Sequence, residues 1–267
     1  MSIMKHTEKD DIHQYLVKEW YKEMIIASRP YSEPLMEKST VDLIKLCCDS
    51  LRLDDHVFIM STEVLEQYIR VKNDQNAVIS DCVLDVVCTI FVCSKHVGEQ
   101  SELRITNVKS FLKRVTCRDF DNITIRKCEM DILRSLDYKL PLKSKMDDLN
   151  TFYMYYVKPL ELRIDISSLC SELLNLTVIS WFRIFHELKR TYSKNEESFE
   201  VFQKLVVNSC YVPCSIILCA LHLTNSYHAL NLDKVSLELE RLSQIHSDHL
   251  QYLANKIYDR TSGCKSV

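Results

Sequence analysis

Glycine is nearly missing. The 267-residue chain holds only 2, Gly98 and Gly263. Open β-sheet folds and phosphate-cradling loops use glycine for tight turns and close backbone approach. Its scarcity removes GxGxxG and Walker-type loops and points to helices joined by short polar segments. Proline is sparse (5), and neither charge dominates: 34 Lys+Arg stand against 37 Asp+Glu, a net −3. Nothing in that balance suggests wrapping nucleic acid, so direct nucleic-acid binding is disfavoured. Long hydrophobic runs are absent as well. The longest, YVPCSIILCALHL at 211–223, is too short to span a bilayer, so no membrane partner is expected. The opening MSIMKHTEKDDIHQ is polar and acidic rather than a secretory leader, and a soluble, reducing, intracellular setting is expected.

Apolar residues are plentiful at 46%, enough for a packed core. The 12 cysteines are many, but Cys47, Cys82, Cys88, Cys93, Cys170, Cys214 and Cys219 lie inside apolar helical runs, where a free thiol behaves as a small buried hydrophobe. Cys93-x-x-His96 and His246-x-x-His249 have metal-like spacing, and Cys210, Cys214 and Cys219 cluster in sequence. No CxxC pair accompanies them, and a zinc site needs four ligands or three plus water, so no metal is expected. No GxSxG elbow occurs and no cysteine lies in a glycine-marked loop beside a base; Asp54-Asp55 suits helix capping better than acid–base work. Neither an enzyme nor a cofactor is expected.

Periodicity predicts an all-α chain. A first amphipathic helix over 10–27 buries Ile12, Tyr15, Leu16 and Met24, with Trp20 a further candidate, and SRPYSEP breaks it. Helices follow over 35–52 (Leu43, Ile44, Cys47 and Leu51 inward), 55–72 behind an Asp cap, 77–96, and 104–115 (Ile105, Val108, Phe111, Leu112 and Val115 inward). The 77–96 helix is apolar on nearly every side except for a stripe of Asp81, Asp85 and Thr89, which marks it as the central rod of a bundle, ended by Gly98. Pro141 closes this unit. Six further helices are placed near 147–158, 166–192, 197–208, 211–225, 230–245 and 247–260, with Asp147 and Asp165 as caps. The expected division is 1–34 (helix and linker), 35–142 (five-helix domain), 143–260 (second helical domain) and 261–267 (tail).

Two residues break the polarity pattern. On a helix over 123–140, Ile125, Cys128, Ile132, Leu133 and Leu136 share one face, and Glu129 falls among them. A carboxylate there must find a cation or be protonated. Lys95, at the end of VLDVVCTIFVCSK, is a candidate partner. A structural reading stands beside it. Lys95 in a last turn already suits the helix dipole, and Glu129 could pair with Arg126. If the pair is buried, losing one partner should cost about 3–5 kcal/mol.

Five helices, the third apolar all round with a Lys at its end and the fifth carrying a Glu, resemble the cyclin box. Phe91-Val92-Cys93-Ser94-Lys95 is similar to the family's IASKxEE, and Cys128-Glu129-Met130-Asp131-Ile132-Leu133-Arg134-Ser135-Leu136 to its MExxILxxLxF. STEVLEQYI (61–69) is similar to AVxxLDRYL. The resemblance covers about 36–142 and implies a cyclin fold, with 143–260 as a degenerate second copy. It implies a non-catalytic regulatory or scaffold subunit that binds a cyclin-dependent kinase through Lys95 and Glu129, with Phe91 and Leu133 as apolar neighbours. In such a pair the cyclin holds the kinase's regulatory helix inward, so that the kinase's own ion pair and Mg²⁺ site assemble. The peptide-docking motif similar to MRAIL is missing, since the region reads TVDLIKLCC (40–48), and there is no destruction-box-like arm. Among cyclin relatives the layout is most similar to a meiotic branch that promotes crossover maturation. That likeness implies recombination factors as partners and a nuclear, chromosome-associated location. A kinase-independent adaptor and a general transcription or cell-cycle cyclin are the alternatives. Finally, Lys109, Lys113, Arg114 and Arg118 line the fourth helix and its end as a weak basic patch, by default a solvated face.

Overall fold

The computed structural model of the chain describes residues 31–79, 81–98, 103–158, 164–224 and 232–263. The helix expected over 10–27 lies outside them. Every regular element among the described residues is helical: α1 Lys38–Leu51, α2 Asp55–Asp74, α3 Cys82–Val97, α4 Ile105–Thr116, α5 Asn122–Ser135, α6 Lys145–Phe152 with a π-helical turn Tyr153–Val157, α7 Ser167–Tyr192, α8 Glu196–Val207, α9 Tyr211–Leu223, α10 Leu232–Ser243 and α11 Ser247–Gly263.

Aspartates and one asparagine open these helices by accepting from free first-turn amides. Asp54 accepts from His56 N (2.7 Å), Asp81 from Leu84 N (3.1 Å), Asp121 from Thr124 N (2.6 Å), Asp165 from Ser167 N (2.8 Å) and Asn195 from Ser198 N (2.7 Å). Asp147 lies inside α6 instead of capping it, because that helix begins two residues earlier. Residues 77–79 and 81, expected in the first turn of α3, precede the helix, because Asp81 turns its side chain to the cap. The helix ends reflect the shortage of glycine. Gly98 takes φ 68 after α3, but Arg52, Asn76, Cys117, Asp137, Tyr138 and Gln244 also adopt positive φ. Each such side chain costs about 1–2 kcal/mol relative to glycine.

Two compact units emerge among the described residues. One holds 33–146 with 178–183; the other holds 31–32, 147–177 and the remainder from 184. In the first, α3 packs against α1, α2, α4 and α5, and every residue from Leu84 to Ser94 is buried. The polar stripe of α3 is therefore not solvated: Asp85 and Thr89 are buried, and Thr89 Oγ1 donates to the Asp85 carbonyl (2.8 Å). In the second unit, α9 is buried from Tyr211 to Leu221 and packs on α10 and α11. Some expected core positions face outward. Val115 and Cys82 are exposed, and Leu43 and Leu51 are half-buried, since α1 turns Val41 and Cys48 inward beside the expected Ile44 and Cys47.

Candidate functional site

α3 and α5 touch at several points along α3. Cys88 Sγ lies 3.8 Å from the Ile125 carbonyl, and Cys128 Sγ lies 3.1 Å from Asp85 Oδ1. In the last turn of α3, Lys95 Nζ donates to Glu129 Oε1 of α5. Lys95 Nζ also sits 3.7 Å from the centroid of the Phe91 ring, one turn back on α3. The amine is thus held between a carboxylate and an aromatic face, each favouring a cation.

Burial decides what this pair is worth. The Lys95 side chain is 42% exposed and that of Glu129 16%. The pair lies at the rim of the core rather than inside it, so it contributes about 0–1 kcal/mol. The 3–5 kcal/mol expected of a buried pair does not apply. Leu133, one turn beyond Glu129, is half-buried, and Met130 is exposed. His96 Nε2 meets the Pro141 carbonyl (3.1 Å), tying the end of α3 to the chain beyond α5.

A second polar group joins α2 to α5, and sequence reading missed it. Tyr68 Oη donates to Asp131 Oδ2 (3.0 Å), and Lys72 Nζ reaches the same oxygen (2.8 Å) from the next turn of α2. Lys72 Nζ is 5.2 Å from the Tyr68 ring centroid. Burial raises the Asp85 carboxyl above its ordinary range, partly offset by the Cys128 thiol that donates to it. Partial burial also opposes ionisation of Asp131, but the bonds from Lys72 and Tyr68 outweigh it and hold this carboxyl below the usual range. The mutual Cys88 hydrogen bond, then burial, pushes the Cys128 thiol far up, so it stays protonated. The available signal was Asp131, a second acid two residues after Glu129.

The four basic residues of the weak patch form no continuous positive stripe. Lys109 and Lys113 both reach Asp119 (3.4 and 3.3 Å), and Arg118 reaches Asp81 (2.5 Å). Arg114 alone of the four has no carboxylate partner among the described residues, and lies 5.4 Å from the Phe111 ring centroid. With Leu43, Leu46, Cys47, Ser50, Phe111 and Val115 it lines an apolar groove of about 430 Å³ between α1 and α4. The TVDLIKLCC segment supplies one wall, although it carries no docking motif.

Among the described residues no group of three or more His, Cys, Asp or Glu side chains could hold a metal ion. His246 and His249 have ring centroids 6.2 Å apart, and His249 Nδ1 is held by Tyr192 Oη (2.7 Å). Burial lowers the His249 pKa and raises the thiol of Cys219 to about 12. No described helix alone is long and apolar enough to cross a membrane.

Residues 2–141, just over half the chain, match the family described as "Cyclin, N-terminal domain". The crystal structure of a viral cyclin from herpesvirus saimiri superposes with a TM-score of 0.56 at 17% identity, covering 86% of this chain and 87% of that one. That likeness concerns the fold. No match was found among curated proteins.

Proposed function

This chain belongs to the cyclin family, and from that premise we propose that it is an atypical cyclin whose first box, residues 35–142, binds a cyclin-dependent kinase. Cyclins are regulatory, non-catalytic subunits, and the cyclin fold generally binds such kinases. The observation that carries the reading is the Lys95–Glu129 pair, assembled from the last turn of α3 and the middle of α5 with its amine partly exposed at the rim. Phe91 and Leu133 are its apolar neighbours. The kinase would supply every catalytic group, and the cyclin would stabilise one position of the kinase's regulatory helix.

The finer reading rests on resemblance to cyclin N-terminal domain-containing protein 1: promotion of crossover maturation in meiotic recombination, with recombination factors as partners and a nuclear, chromosome-associated location. Residues 1–34 would then be an N-terminal helix and linker, 143–260 a degenerate second cyclin-like domain and 261–267 a tail. Capture of purified cyclin-dependent kinases by the intact chain tests the first claim. Folded Lys95→Glu and Glu129→Lys variants that hold every kinase as tightly as wild type would defeat it. Co-purification from germline tissue, scored for recombination factors, tests the second.

The α1–α4 groove favours a second reading, a kinase-independent adaptor, because its apolar wall is open without any docking motif. Recovery of recombination factors but never a kinase would select it. Recovery of cell-cycle or transcription partners from somatic cells would select a general cyclin.

A further inference from the structure

α5 is a helix with little apolar contact to fix its rotation. Of its 14 residues only Ile125 and Ile132 are fully buried, whereas α3 buries every residue from Leu84 to Ser94. Two isoleucines one above the other hold a helix against the core but resist rolling about its axis poorly, since both lie close to the line of contact. Rolling matters here. A carboxylate about 5–6 Å from the helix axis moves about 2 Å for a roll of about 20°, enough to break a hydrogen bond.

Polar anchors sit where a roll would be felt. Cys128 donates to Asp85 of α3, Glu129 accepts from Lys95 of α3, and Asp131 accepts from Tyr68 and Lys72 of α2. Residues 129 and 131 are about 200° apart around the helix, so the Glu129 and Asp131 anchors pull on nearly opposite sides, with Cys128 about 60° from Asp131 on the same side. Asp131 receives both its donors on one oxygen, and the Lys72 side chain is only 13% exposed, so the cation is held rather than free to follow a moving partner. We propose that Asp131, clamped by Tyr68 and Lys72, is a positioning residue that sets the roll of α5 and so keeps Glu129 in register with Lys95. This inference deepens the kinase-binding reading and rests on it for its consequence, though not for its geometry.

The test uses the full chain with ¹⁵N-labelled lysine. The Lys95 ammonium resonance, assigned by its loss in Lys95→Arg, reports the ion pair without any kinase. Asp131→Asn should exchange-broaden or remove that resonance and weaken kinase affinity about five- to tenfold. Tyr68→Phe, which deletes one donor and keeps the ring, should give the same change to a smaller degree and serves if Asp131→Asn folds poorly. Asp131→Glu should recover part of the signal. In a Glu129→Gln background Asp131→Asn should add no further loss of affinity, whereas a general loss of stability would add. An unchanged Lys95 resonance in both Asp131→Asn and Tyr68→Phe overturns the proposal, as does full additivity with Glu129→Gln. If the wild-type chain captures no kinase, the function reading fails and the resonance still decides this one.

Discussion

α3 and α9 do the same packing job in their own units. Each is buried along eleven consecutive residues and packs against its neighbours on several sides. Their chemistry differs. The buried stretch of α9, Tyr211 to Leu221, contains no charged side chain, whereas that of α3 contains Asp85 and leads directly into Lys95. A central rod therefore needs no ionic group to be a central rod. The charges on α3 serve something packing does not require: fixing α5 and presenting a cation at the rim. Buried polarity without a packing reason is the better pointer to a surface with a task.

That contrast can be broken in several ways. The largest effect should come from the shared role. Ile90→Ala in α3 and Ile217→Ala in α9, both fully buried, should each cost about 2–5 kcal/mol in chemical denaturation. The Ile217 variant should keep wild-type kinase affinity per folded molecule; a selective loss of affinity there would erase the distinction between the rods. Lys95→Glu should next lower kinase affinity about 100-fold, since it faces Glu129 with a like charge, while the thermal midpoint falls by only a few degrees. Gly98→Ala should cost about 1 kcal/mol. The positive φ is the reason, since an added Cβ would meet nothing nearer than the His96 carbonyl at 3.8 Å.

The smallest effects concern titration, and they have opposite signs. The folded Asp85 carboxyl titrates above its unfolded value, so ionising it costs stability as pH rises through that interval. Asp85→Asn should raise the thermal midpoint at pH 7 by about 2 °C and flatten its decline above the acid range. Asp131 titrates below its unfolded value, so its contribution is present at neutral pH and lost as pH falls below the usual carboxylate range. Asp131→Asn should therefore differ from wild type more at pH 7 than at pH 3. Thermal melts across pH 3–8 check both.

Much of the fold was legible. The limits of α7, α8 and α9 fall within about two residues of the periodicity reading, because capping by Asn195, the turn in which Asp165 accepts from Ser167 N just before the Ile166 cap, and the apolar repeat act locally. Gly98 marked the end of α3 for the same reason. The errors were also physical. Asp81, Asp85 and Thr89 share a helix face and read as one polar stripe, but Asp81 caps, Thr89 bonds its own backbone and Asp85 lies under α5. Val115 fits the apolar repeat of α4, yet among the described residues it stays exposed and borders the groove instead. At the candidate site, Glu129 and Lys95 stood out by polarity. Asp131 and Lys72 did not, because an acid and a lysine on amphipathic helices look like ordinary surface; Tyr68 fits the apolar face of the 55–72 helix and is buried there, but nothing local shows that its hydroxyl meets Asp131.

By itself the sequence determined that the chain would be helical, where most helices begin and end, and which two charges were out of place, because propensity, capping and amphipathic period act over a few residues. Only the tertiary structure decided that those charges, 34 residues apart, would meet at a half-open rim. It also decided which oxygen of Asp131 would be gripped from α2. Register and roll between helices depend on how every neighbouring side chain packs at once, and no local pattern encodes that sum.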